Sequence, residues 1–278
     1  MTSLVSTARV GVVITAAGSG SRLGYGAPKA LVPLSADGLI GDDSSLFVVA
    51  LRQVAGIAGV THVVVTAPAD QVEVFTARTA QVELGIPVGI VPGADTRQAS
   101  VFAGLKALAA QGFGSEPEDV VLVHDAARAM AGSAMMDRVV AAVIAGSAAV
   151  IPALPVSDTL KLVDVGAERD ESGRERIVGS ADRSAMRSVQ TPQGFPWRVL
   201  WQAHVDLADR GLDETTAATD DSTIAQWAGH EVDCVVGDEL ALKITTPTDL
   251  TVARVLYAQT LCSAHTGSPY KSLQEDEQ

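Results

Sequence analysis

Residues 10–34 constrain the fold more than any other stretch of the chain. They read VGVVITAAGSGSRLGYGAPKALVPL, passing from an apolar run into a glycine-rich loop and then to a basic pair. Val10, Val12, Val13 and Ile14 make a β-branched run that fits a strand buried on both faces of a sheet. Ala16, Ala17, Gly18 and Gly20 carry little or no side chain, so backbone N–H groups there can approach a ligand closely. Such a loop leading into a helix start attracts anions, phosphate above all. Arg22 and Lys29 bring two cations to the same neighbourhood.

Two familiar glycine motifs fail here. A phosphate-binding loop of the G-x-x-x-x-G-K-[ST] kind needs a Lys-Ser or Lys-Thr that this stretch lacks. The dinucleotide fingerprint G-x-G-x-x-G has Leu23 where its third glycine belongs. What remains is A-A-G-x-G-x-R-(x6)-K with Pro28 just before Lys29. A tight strand-to-helix turn with two solvated cations would read the same way, but the Arg and Pro-Lys spacing resembles the signature of nucleotidyltransferases.

The chain has 278 residues, 47% of them hydrophobic and 19% charged, enough to fill a sizeable core. A formal charge of −13 argues against nucleic acid as a partner. An anionic substrate must therefore be held by a local cluster of cations. Cys234 and Cys262 have neither metal-ligand spacing nor a disulfide framework, which points to a reducing, cytoplasmic setting. The N-terminal residues MTSLVSTARV do not read as a signal peptide. The apolar stretch from Val139 to Val156 contains Gly146, Pro152 and Pro155 and reads as a helix end, a turn and a buried strand rather than a membrane span.

Along the chain, helical spacing at Leu46–Ala58 alternates with strands at Thr61–Ala67 and Pro87–Val91, with a helix between them. A strand at Asp119–Val123 runs into His124-Asp125-Ala126-Ala127-Arg128, followed by a helix at Ser133–Ala145 and a strand at Ala148–Pro152. This alternation predicts an α/β fold: an open, mostly parallel twisted sheet with helices on both faces. From about 156 to 183 the pattern changes to apolar alternation around a charged tip, which predicts a β-hairpin arm protruding from the body. A lone hairpin is marginal in water and needs a partner surface. Helices are expected at Trp197–Gly211, Asp220–Ala228 and Leu250–Leu261, with a strand at Val232–Val236. One domain over 8–261 and a disordered acidic tail over 262–278, with no second domain there, complete the expected organisation.

Four later segments carry chemistry. Gly93 to Leu105 is a short loop with Asp95 and Arg97 leading to Ser100. Asp125 stands at the carboxyl end of a buried strand, where ligands bind in open α/β sheets, and is a candidate ligand for Mg²⁺. Thr191-Pro192-Gln193 follows the hairpin, and Lys243-Ile244-Thr245 follows the last strand. Singly, each also reads as a salt bridge, a turn or a solvated lysine.

Jointly, A-A-G-x-G-x-R, P-K, G-x-D-x-R-x-x-S-V, H-D-A-A-R, Q-T-P-Q and K-x-T-x-P-x-D resemble the 2-C-methyl-D-erythritol 4-phosphate cytidylyltransferase family from about Val10 to Leu256. The resemblance implies transfer of CMP from CTP to the polyol phosphate, releasing pyrophosphate, with Mg²⁺ or another divalent cation. It implies that Ala16, Ala17, Gly18, Gly20, Ala94, Asp95 and Ser100 surround the nucleoside. Arg22, Lys29 and Lys243 would be the catalytic cations. Asp125, Arg128, Thr159, Arg183 and Thr191 would receive the acceptor, and the arm would join two subunits and complete the neighbour's site. Two positions depart from the family pattern: Ala129 stands where Pro is common, and Ala94 where Gly is common. Ribitol-phosphate cytidylyltransferases and a non-catalytic nucleotide-binding regulator are the alternatives.

Overall fold

The structure, a computed structural model, describes residues 8–18, 20–35, 43–165 and 173–266. The β-branched run of the N-terminal segment forms β1 (Val10–Thr15), the buried centre of the sheet. Around it lie β2 (Val60–Ala67), β3 (Val88–Pro92), β4 (Val120–Asp125), β5 (Val150–Pro155), β8 (Arg187–Val189), β9 (Gln193–Pro196) and β10 (Asp233–Val236), after a separate pair, β6 (Lys161–Val163) and β7 (Ile177–Ser180). The order is β10-β5-β9-β4-β1-β2-β3, with β8 also on β5.

β1 pairs in parallel with both β2 and β4, while β9 runs antiparallel between β4 and β5. The chain therefore builds outward from β1 on one side through β2 and β3, then returns to its other side through β4. This reversal opens a crevice beyond the carboxyl ends of β1 and β4, the usual ligand position in such sheets.

The two faces of β1 bury different neighbours, because successive strand residues point opposite ways. Val12 and Ile14 join Phe47 and Val48 of α1 (Leu46–Ala55), Phe75 of α2 (Val72–Thr79) and Met136 and Val139 of α4 (Ser133–Ile144). Val13 joins Val101 and Leu105 of α3 (Arg97–Ala110) and Leu200 of α5 (Trp197–Asp206). Each fully buried aliphatic or aromatic side chain of this kind contributes about 1.5–3 kcal/mol, so helices on both faces are held chiefly by apolar packing. A third cluster seats α7 (Pro247–Thr266) through Leu250 and Ala253 against Leu23, Val32 and Leu34. The short α6 (Asp221–Trp227) is capped by Asp220, which accepts from Thr223 N at 2.9 Å.

The expected mostly parallel sheet is present, and β8 and β9 add antiparallel strands to it. The hairpin forms as β6 and β7, with Leu162 opposite Gly179; residues 166–172 of its tip lie outside the described residues. α7 continues to Thr266, past the point where the sequence suggests a tail, and residues 267–278 lie outside the described residues. Among the described residues no helix is long and apolar enough to cross a membrane.

Candidate active site

A cavity of about 540 Å³ fills the crevice. Its walls come from the segment after β1 (Ala16, Ala17, Gly18, Gly20, Arg22, Lys29), the loop after β3 with the start of α3 (Ala94, Asp95, Ser100), Asp125 at the end of β4, and Lys243 before α7. The predicted nucleotide-binding set and the three predicted cations thus meet in one place.

Two glycines make the loops possible. Gly20 has φ +65°, and a Cβ there would overlap Lys29 Cβ, so the loop folds directly onto the lysine-bearing segment. A Cβ on Gly93 would lie 2.5 Å from Ala17 Cβ and 3.1 Å from Ser100 Oγ, so the loops after β1 and β3 touch only because Gly93 has no side chain. Ser100 accepts from Ala94 N at 2.9 Å and so shapes the second loop from inside. Ala94 itself is not in the left-handed region, since no described non-glycine residue has positive φ. Ala129 is right-handed at φ −52°, a value a proline would also take. Neither departure from the family pattern distorts the backbone.

Electrostatics at the floor centre on Asp125. Lys243 Nζ lies 2.7 Å from its Oδ2; Arg97 Nη2 (3.3 Å) and Thr15 Oγ1 (3.1 Å) meet its Oδ1. Burial opposes ionisation of this carboxyl, but Arg97 and Lys243 override it and hold Asp125 far below the usual carboxylate range. Lys29 shows the opposite balance. Burial, reinforced by repulsion from Lys243, pushes its ammonium down to about 8. Lys29, Lys243 and Arg22 thus gather three cationic side chains on one cavity, and an anion bound there would offset the repulsion between Lys29 and Lys243.

The remaining predicted residues lie elsewhere. Thr191 is buried behind the floor, where its Oγ1 accepts from Asp125 N at 3.0 Å and meets His124 Nδ1 at 3.1 Å. Burial pushes His124 down to about 4, a neutral structural histidine. Arg128 does not line the cavity; it donates to Ala241 O (2.7 Å) and Val189 O (2.9 Å), fastening β8 beside the Lys243 segment. Thr159 and Arg183 are exposed at the arm, with Arg183 donating to Ser157 O.

Sequence reasoning names Arg97 and Gln193 within its chemical segments but gives them no role, and it leaves Asp221 out of the site. Arg97 bridges Asp125 and the buried Asp221, 2.7 Å from the latter. Gln193 accepts from Asp221 N and Ser222 N, both at 2.9 Å. Thr191 and Gln193, on either side of Pro192, accept from the backbone N–H groups of Asp125 and Asp221 respectively. The signal was present in the Q-T-P-Q motif, but nothing local tells which distant groups it serves. Glu214 and Thr245 also line the cavity.

A small-residue loop at a sheet's switch point, facing a cavity rich in cations, defines a nucleotidyltransferase. The sequence pattern of the 2-C-methyl-D-erythritol 4-phosphate cytidylyltransferase (IspD) family matches residues 10–259. The chain is 40% identical to the 2-C-methyl-D-erythritol 4-phosphate cytidylyltransferase of Streptomyces avermitilis, over 91% of this chain and 94% of that protein. It is 41% identical to a bifunctional IspD/IspF enzyme of Clavibacter michiganensis over 90% of this chain, and spans only 55% of that longer protein. The crystal structure of the cytidylyltransferase from Thermus thermophilus superposes with a TM-score of 0.63 at 32% identity, covering 90% of this chain and 99% of that one. The chain belongs to the 2-C-methyl-D-erythritol 4-phosphate cytidylyltransferase family.

Proposed function

We propose that the protein transfers CMP from CTP to 2-C-methyl-D-erythritol 4-phosphate, forming CDP-methylerythritol and pyrophosphate in non-mevalonate isoprenoid biosynthesis. The observation that carries this, beside family membership, is the convergence of Arg22, Lys29 and Lys243 on one cavity beside the Ala16-Ala17-Gly18 loop. An oxygen of the acceptor's phosphate attacks the α-phosphorus, and the bond from that phosphorus to the β-phosphate bridge breaks. Both reactants are anions, so the protein's task is to offset repulsion and align the attack. Cations aimed at the triphosphate do this without a histidine base.

Mg²⁺ fits the cavity as a companion of the nucleotide. Among the described residues no three His, Cys, Asp or Glu side chains gather to hold a metal. One ionised carboxylate plus phosphate oxygens is nonetheless a donor set Mg²⁺ takes in nucleotide sites. Asp125 would supply that carboxylate, and the ion would neutralise charge on the phosphates.

We infer a homodimer joined through the arm. Leu162, Ile177 and Val178 are each more than half exposed on β6 and β7, an apolar ribbon that a second subunit would cover. Thr159 and Arg183 would then serve the neighbour's acceptor site, Arg183 through fork-like contacts to phosphate. A cytoplasmic setting without nucleic-acid or membrane partners completes the proposed role and agrees with the charge of −13.

The test is pyrophosphate release measured with methylerythritol, ribitol and glycerol phosphates, each with CTP, UTP, ATP and GTP. Fast release is expected with CTP and methylerythritol phosphate alone. A preference for ribitol 5-phosphate would assign a different acceptor, and no release with any pair would contradict catalysis.

A further inference from the structure

The cavity floor belongs to a row of ionised and polar side chains that runs into the interior. Beyond Lys243, Asp125 and Arg97, the row continues from Arg97 Nη1 to Asp221 Oδ2 (2.7 Å) and from Asp221 Oδ1 to His204 Nε2 (3.2 Å). The Asp221 side chain is 0% exposed and that of His204 1%. His204 stacks on Phe102 of α3 with ring centres 5.6 Å apart, which orients the imidazole.

A buried carboxylate is costly unless it is paired and hydrogen-bonded. Capping α6 does not require Asp221, because the adjacent Asp220 already fills that role. Asp221 is instead turned inward onto Arg97. The guanidinium makes its shortest contact there, with longer ones of 3.3 and 3.4 Å to Asp125. A guanidinium left with a single carboxylate tends to take it bidentately. The hold of Asp221 therefore limits the claim of Arg97 on Asp125 and leaves Asp125 Oδ2 to Lys243.

We propose that Asp221, supported by His204, is a positioning residue of the transfer reaction: it holds Arg97 back so that the Asp125–Lys243 pair keeps its place at the triphosphate. The inference rests on the activity proposed above, and a ligand-free measurement separates the two. Crystal structures of wild type and Asp221→Asn should show Arg97 turned wholly onto Asp125 in the variant, with the Lys243 contact opened beyond about 4 Å. A retained 2.7 Å contact overturns the role.

Kinetics supplies the second arm. In Asp221→Asn, kcat should fall about tenfold or more while KM for CTP changes less than about threefold. In an Asp125→Asn background the same substitution should change kcat less than about twofold, because the pair it serves is gone. Equal losses in both backgrounds would mean a structural role only. Where Asp221→Asn does not fold, His204→Leu replaces it in both arms. It should lower kcat, and His204→Gln, which keeps an N–H donor, should restore it; equal losses in the two overturn the role. A wild-type protein that releases no pyrophosphate contradicts the activity alone, and the ligand-free structures still decide the positioning.

Discussion

Lys243 Nζ stands 2.7 Å from Asp125 Oδ2, an ion pair that ties the segment before α7 to the carboxyl end of β4. The pair holds a flexible lysine at the cavity in the absence of substrate, where it waits for a stronger anion. Lys243→Ala should fold with a lowered melting temperature, because the buried Asp125 carboxylate keeps only Arg97 as a cation, and should lose about 100- to 1,000-fold in kcat, the usual effect of removing one contact to charge that grows in the transition state. Arg22→Ala and Lys29→Ala should lose as much in kcat while melting near wild type. Steady-state assays beside thermal melts check this; near-normal turnover in a folded variant would remove that cation from the chemistry.

Lys29 gives a pH signature. Its folded value of about 8 lies below the ordinary lysine value of 10.5. Between these limits the unfolded chain holds the extra proton, so this group makes the free protein more stable as pH rises through that window. A bound triphosphate restores the proton, so CTP binding should take up protons near pH 8 and weaken as pH rises above it. Calorimetry in two buffers of unlike ionisation heat measures the uptake. Lys29→Met should abolish it; uptake unchanged in that variant would assign it elsewhere.

Adjacent positions in the loop after β3 should tolerate change in opposite ways. Gly93→Ala brings a Cβ against Ala17 and Ser100, parts the two loops and should raise KM for CTP tenfold or more, about 1.4 kcal/mol. Ala94→Gly removes no contact the fold depends on and should leave KM within about threefold. Nucleotide binding to the two folded variants decides; equal effects would contradict the loop contact.

Much of this was legible in the sequence. The β-branched run and its small-residue loop identified β1 and one wall of the cavity, because buried parallel strands and close backbone approaches are local properties. β8 and β9 were not legible. Arg187–Val189 is short, and Gln193–Pro196 contains Gly194 and Pro196, so neither shows strand alternation. Asp221 falls at the start of the helix expected from Asp220 and carries no local mark of a site residue, because its pairing with Arg97 joins residues far apart in the chain. Arg128 and Thr191 carried the right motif, yet their contacts lie with backbone groups and with His124.

The arm makes a separate prediction. Deleting residues 164–178 should weaken the dimer and activity together, since the exposed Leu162 and Val178 lie on β6 and β7 and Thr159 and Arg183 flank them. Light scattering and turnover on the same samples check it; an intact protein that is monomeric at micromolar concentration contradicts the arm's role.

Phosphorus NMR of the protein with CTP, Mg²⁺ and methylerythritol phosphate tests the central claim most directly. The account predicts that the acceptor's phosphate signal is consumed as a pair of diphosphate-diester resonances and free pyrophosphate grow in equal amounts, with no signal change when EDTA is present. Production of CMP with the acceptor phosphate unchanged, or no reaction at all, would contradict it.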